Sequence, residues 1–159
     1  MIKDAEFSPC GKYRYHLSRH WDNTGREALC IGLNPSTADS DRDDPTIIHL
    51  TAMLKKLGYG GFYMMNLFAL ISPNPMALIE HPDPVGFNDK WLDLMADECD
   101  DVIFCWGAFK QSNLRSPALI KSFPKAHCFG FNKDGSPMHP LAMMYQGKTK
   151  NPQLIPYQS

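Results

Sequence analysis

The stretch ALCIGLNPSTADSDRDDPT, residues 28–46, decides the fold. Ala28-Leu29-Cys30-Ile31 is a short apolar run of the kind a buried strand shows. Gly32-Leu33-Asn34-Pro35-Ser36 ends it. Pro35 keeps Asn34 out of the right-handed helical region, so the Asn34 amide stands on extended backbone at the mouth of a strand. A polar loop follows, with Asp39, Asp41, Asp43 and Asp44. Asp44-Pro45-Thr46 then opens a helix: an N-cap Asp accepts an orphan backbone amide, and Pro at the first position has no N–H to lose. Strand, polar loop, helix is the unit that places chemistry at the C-terminal edge of a parallel sheet.

Working outward, residues 13–19 alternate aromatic or apolar with polar side chains, the period of a half-exposed strand. Asn23-Thr24-Gly25 marks a turn into the strand over 27–33, so these two strands are expected to pair as a hairpin with the second central. Residues 45–57 carry Ile47, Leu50, Met53, Leu54 and Leu57 on one helical stripe, and Gly58 ends it. Residues 62–68 are apolar except for Asn66, which suits a strand covered on both faces. A helical turn over 76–80 and a helix over 88–98 precede a strand over 102–107 that ends in Trp106-Gly107. A helix over 116–123 with Pro117 in its first turn leads to a strand over 126–131. Alternating strands and helices predict one α/β domain over residues 1–159, a three-layer α/β/α sandwich. Its sheet is expected to hold four mostly parallel strands plus an antiparallel edge strand, with residues 1–12 and 148–159 as peripheral segments.

A chain of 159 residues can bury a core without disulfide or metal staples. A net charge of −1 argues against coating nucleic acid by charge alone. The five cysteines form no CxxC pair, and Cys30, Cys105 and Cys128 lie in apolar runs, so they read as reduced core thiols of a cytoplasmic protein. The first residues do not form a signal peptide, and no apolar run approaches a membrane span.

The strand ends deliver Asn34-Pro35-Ser36, Asn66, Trp106-Gly107 and His139-Pro140 to one edge, which is the functional signal. Asn34 is as well explained by capping the Pro35 turn as by binding. Ser36 and Thr37 read as turn hydroxyls. Asn66 must be satisfied by backbone or by a ligand. His139 is fixed between prolines, and Trp106 reads as core or pocket wall. Asp39, Asp41 and Asp43 have the odd-position spacing of a calcium loop without its Gly and distal Glu, so Mg²⁺ or Ca²⁺ there is a minority reading and no metal is assigned. The histidines share no ligand spacing. Arg14, Arg19, Arg42 and Arg115 are candidate phosphate ligands, but their spacing decides nothing.

GLNPSTAD, DRDDPT, GYGGFYMMNLFAL, FCWG and GSPMHPL together resemble the bacterial and phage family called domain of unknown function 1643. More distantly, residues 31–36 (IGLNPS) are similar to the first motif of the uracil-DNA glycosylase superfamily in its GINPG form. Met64-Met65-Asn66-Leu67 resembles that superfamily's base-reading strand, Phe104-Cys105-Trp106-Gly107 a later strand, and His139-Pro140-Leu141 part of the final motif. This resemblance implies a glycosylase-like fold and an enzyme that hydrolyses an N-glycosidic bond of a nucleobase in DNA or a nucleotide. It implies that Asn34 positions the attacking water, Asn66 bonds a base, and His139 stabilises the departing base, with Ser36, Pro35 and Trp106 around the substrate. A base buried in DNA must first be flipped out. Asn34 stands where the fastest enzymes have Asp, and an amide is no general base. The alternatives are a non-catalytic module that binds a nucleotide or modified base, and a metal-dependent hydrolase using the 39–44 loop.

Overall fold

The computed structural model describes residues 1–158. The decisive stretch folds as read. The third strand, β3 (Arg26–Gly32), runs through the 34–44 loop into the first helix, α1 (Pro45–Lys56), with Asp44 Oδ1 accepting the Ile47 N–H at 2.9 Å and Pro45 in the first turn. Lys55 and Lys56 in the last turn complement the helix dipole.

The strands before and after it are β1 (Ile2–Phe7), β2 (Arg14–His20), β4 (Tyr59–Asn66), β5 (Asp101–Phe104), β6 (His127–Cys128) and β7 (Ile155–Pro156). The remaining helices are α2 (Ala77–Glu80), α3 (Asn88–Ala96), α4 (Ser116–Ser122) and α5 (Pro140–Tyr145). One mixed sheet of seven strands runs in the order β1-β2-β4-β3-β5-β6-β7. Its centre, β4-β3-β5-β6, is the expected parallel quartet. Antiparallel strands flank it, two on one side and one on the other.

Three expectations change. β2 and β3 do not pair as a hairpin, because β4 inserts between them. The reason lies in Gly60-Gly61. Both the Trp21 and the Asp22 N–H donate to Gly60 O, and a Cβ on Gly60 would stand 2.0 Å from Asp22 O, so only a strand bare at this point can slide beneath the 22–25 turn. Residues 1–12 and 148–158 are not merely peripheral, since they supply β1 and β7, the two edges. Pro156 is tolerated at an edge, where its missing N–H breaks no central ladder. Finally, α5 was hidden in the sequence behind Pro137, Pro140 and the short length of the helix.

Alternate residues of the central strands face opposite cores. Ala28, Cys30, Ile103 and Cys105 pack with Ile47, Leu50, Met53 and Leu54 of α1 and Met143 of α5. Leu29, Ile31, Phe104 and Trp106 pack with Leu78 of α2, Leu92 of α3 and Leu119 of α4. Each face of the sheet is thus covered, which is why the central strands read as unbroken apolar runs. The chain leaves β3 for β4 on one side and returns past it to β5 on the other, so the C-terminal ends of β3 and β5 flank a switch point where the helical connections diverge. Among the described residues no helix is long and apolar enough to cross a membrane, and the five cysteines are free thiols, with Cys30, Cys105 and Cys128 buried.

Candidate functional site

A cavity of about 280 Å³ opens at the C-terminal ends of β3 and β4. That is near the small end of the range for ligand pockets. Asn34 and Ser36 reach it from the loop after β3, Asn66 from the end of β4, and His139 from the loop before α5. Four residues that the sequence singled out therefore line one cavity. Pro35 and Trp106 do not line it. The Pro35 carbonyl accepts bonds from Asn34 Nδ2 and the Ser72 N–H. Trp106 is 1% exposed, packs on Phe104 at 4.6 Å between ring centroids, and faces Tyr157. The useful member of that motif is Gly107. It adopts a φ of +81°, and a Cβ there would approach His139 Cβ at 3.1 Å and the Phe109 ring at 3.2 Å. Its N–H donates to Pro137 O and ties the β5 end to the His139 segment.

Asn34 carries both of its possible roles. Nδ2 donates to the carbonyls of Pro35 (3.2 Å), Leu70 (3.2 Å) and Ser72 (2.9 Å), which staples two loops and forces the amide's orientation. Oδ1 takes no bond from the described residues and is left as an oriented acceptor at the pocket.

Asn66 is the strongest feature. It is 2% exposed, lines the cavity, and neither atom of its amide meets a hydrogen-bond partner among the described residues. The amide opens onto the cavity, where water or a ligand can meet it. The neighbouring register position on β3 is Gly32, where a Cβ would lie 2.9 Å from Asn66 Oδ1 and 2.6 Å from Met64 Cε. The glycine of the GLNP stretch thus clears space for the Asn66 amide. The backbone behind it is held from the far side: Asn88 Nδ2 donates to Asn66 O at 2.7 Å, and Arg115 Nε donates to Leu67 O at 3.0 Å while pairing with Asp89.

His139 is the N-cap of α5, its Nδ1 accepting the Leu141 N–H at 3.1 Å. Nδ1 must then be bare, so the neutral ring carries its proton on Nε2. Burial pushes its pKa down to about 4, with the Asp44 charge opposing. At neutral pH His139 is a preorganised neutral N–H donor. Phe109 meets its ring edge-on at 6.4 Å.

Sequence reasoning offered Arg14 only as one of four arginines whose spacing decides nothing, and it passed over Phe109 and the pocket role of Asp44; all three line the cavity. Asp44 Oδ1 caps α1, while Oδ2 has no hydrogen-bond partner among the described residues. A carboxylate therefore stands in the pocket although Asn34 is not one. Arg14 is 3% exposed; Nη1 donates to Ala38 O at 2.9 Å and the buried Nε meets nothing. Burial lowers its pKa to about 10, so it remains a cation. A buried charge without a partner costs several kcal/mol. The signal was present at the start of β2, where a charge sits beside a buried aromatic run, but only the fold shows that it faces the pocket.

The 39–44 loop is organised around Arg19. Arg19, 0% exposed, donates Nε to Asp43 Oδ1 (2.8 Å), Nη1 to Ser18 O, and Nη2 to Asp39 O (2.6 Å) and Arg42 O. Asp39 Oδ1 accepts the N–H groups of Asp41 and Arg42, which holds its carboxyl below the usual range. Among the described residues no group of three or more His, Cys, Asp or Glu side chains is arranged to hold a metal.

A family model described as "Protein of unknown function (DUF1643)" matches residues 14–141. This span runs from β2 to the start of α5 and contains every pocket residue named above. No curated protein and no solved structure matches the chain. The chain belongs to the DUF1643 family.

Proposed function

We propose that the chain binds a nucleobase of a nucleotide or nucleic acid in this cavity and hydrolyses its N-glycosidic bond. The observation that carries the reading is the buried, unpartnered Asn66 amide facing a cavity that also holds a neutral His139 donor. An amide offers one donor and one acceptor side by side, which matches the edge of a base. The order of the motifs along the chain, similar to that of the uracil-DNA glycosylase superfamily, supports the same reading.

In this account Asn66 reads the base edge. As the C1′–N bond breaks, its electron pair leaves with the base and the sugar becomes oxocarbenium-like. The His139 Nε2–H donates to the developing anion; one such donor contributes about 3–4 kcal/mol. A water oriented by Asn34 Oδ1 attacks C1′, and its proton passes to the Asp44 carboxylate, the base that Asn34 cannot be. The three bonds from Asn34 Nδ2 keep its acceptor fixed. Release of free base by the wild-type chain, reduced by Asn66→Ala and by His139→Ala with both variants folded, is the test. Binding without release, lost in Asn66→Ala, would instead identify a non-catalytic base-binding module.

A further inference from the structure

A cation inside a cavity asks for an anion. Arg14 sits at the start of β2, 3% exposed, and lines the same cavity as Asn34, Asn66 and His139. Of its three nitrogens only Nη1 has a partner, the Ala38 carbonyl, and a carbonyl carries no charge. Nε is buried and unbonded. Nη2 meets no acceptor among the described residues. Among the described residues no carboxylate reaches ion-pair distance, although Asp44 and Asp39 are near enough to act on it through space. Arg19, its neighbour in charge, is the contrast. It is more deeply buried, but all three of its nitrogens are satisfied, one by Asp43. The fold therefore completes a buried arginine where it needs a structural one and leaves Arg14 incomplete where it faces the pocket. A guanidinium with two adjacent free nitrogens is a fork suited to two oxygens of a phosphate. The hydroxyls of Ser36 and Thr37 line the same cavity without a hydrogen-bond partner among the described residues, and they supply further donors.

We propose that Arg14 anchors a phosphate and that the ligand class of this pocket is a nucleoside 5′-monophosphate, its base on Asn66 and its phosphate on Arg14. This rests on the base-binding reading above and narrows it. A free nucleotide is favoured over a DNA strand because a terminal phosphate can enter a cavity to reach a buried guanidinium. A phosphodiester must lead chain away in two directions. Asp44 in the same lining also disfavours a long polyanion, whose flanking phosphates would add to the repulsion.

The test is calorimetric titration at low salt. The probes are inorganic phosphate, the common nucleosides, their 5′-monophosphates, and a single-stranded pentanucleotide of each base. They are applied to the wild type, Arg14→Gln, Arg14→Lys and Asn66→Ala, each checked for folding by far-UV dichroism and denaturant titration. For the preferred base, the monophosphate is expected to bind the wild type at least tenfold more tightly than its nucleoside. That ratio falls to about one in Arg14→Gln, recovers in part in Arg14→Lys, and persists in Asn66→Ala, where both ligands weaken together. If nucleoside and monophosphate bind the wild type equally, the Arg14 assignment is overturned while base reading stands. If inorganic phosphate binds through Arg14 and no nucleotide improves on it, base reading is overturned and the nucleotide class with it. Tighter binding of the pentanucleotide than of the monophosphate overturns the choice of free nucleotide. No binding of any probe to a folded wild type overturns both.

Discussion

Replacing Asn66 with Leu should stabilise the empty protein while removing its base-binding function. The two side chains have the same branched outline, so Leu fits the space that Gly32 leaves open beside Met64. What changes is the polarity. Asn66 is 2% exposed and its amide has no partner among the described residues. An unmade buried polar group costs about 1–3 kcal/mol, and water entering the cavity recovers part of it. We therefore expect Asn66→Leu to gain about 1 kcal/mol. For a chain of this size that raises Tm by roughly 2–4 °C. Guanidinium unfolding followed by tryptophan fluorescence reads it: the midpoint should rise with an unchanged m-value. A loss of 1 kcal/mol or more would show that the fold itself satisfies the amide. In that case Asn66 is a structural residue and the base-reading argument fails.

The His139 environment predicts a pH response. Its folded pKa, about 4, lies below the unfolded value, so the unfolded chain takes up a proton first as pH falls. The contribution is complete above about pH 6.5 and is lost between there and about pH 4; in His139→Gln this part of the decline should vanish, and NMR titration of the imidazole should give the low midpoint directly. Gly107→Ala forces a side chain into φ +81° against His139 and Phe109. It should cost about 1–3 kcal/mol and weaken ligand binding, both read by thermal melts with and without nucleotide. Arg19→Met leaves the solvent-exposed Asp43 with Lys3 as its remaining partner and frees the carbonyls of residues 39 and 42. A loss of about 1–3 kcal/mol is expected, with faster hydrogen exchange confined to the 39–44 loop. EDTA, Mg²⁺ and Ca²⁺ should leave Tm unchanged, since the Asp39 and Asp43 carboxylates already serve the loop and Arg19; a rise of several degrees with either cation would revive the metal reading.

The parallel centre of the sheet was legible because its strands are buried on both faces and each is punctuated by Gly, Pro or Asn. The helix at Pro45 announced itself through Asp44-Pro45. The edges were not legible. β1 is mostly exposed and carries no apolar alternation, while β7 is two residues long and includes a proline. Strand order failed where it depended on a close backbone approach, at Gly60-Gly61, that no periodicity encodes. At the site, Asn66 stood out as one polar residue in an apolar run, and His139 as a ring held by prolines. Arg14 and Phe109 did not stand out. Nothing local distinguishes an arginine that pairs with an aspartate from one left open to a cavity; Arg19 and Arg14 lie five residues apart on one strand and differ only in what the fold brings to them. Of the two readings of Trp106, core or pocket wall, the structure shows the core. The bulky residue of the Trp-Gly pair fills the core, and the bare one admits His139 and Phe109.

The central claim is that this pocket cleaves a base from a sugar. The most direct measurement is chromatographic detection of free base. Purified protein is incubated with nucleoside 5′-monophosphates and with uracil-containing single- and double-stranded DNA, beside His139→Ala and Asn66→Ala. The account predicts release from at least one substrate, reduced about 100-fold or more in His139→Ala and strongly in Asn66→Ala. Absence of release from every substrate by folded wild-type protein would contradict hydrolysis, and release undiminished in both variants would contradict the site.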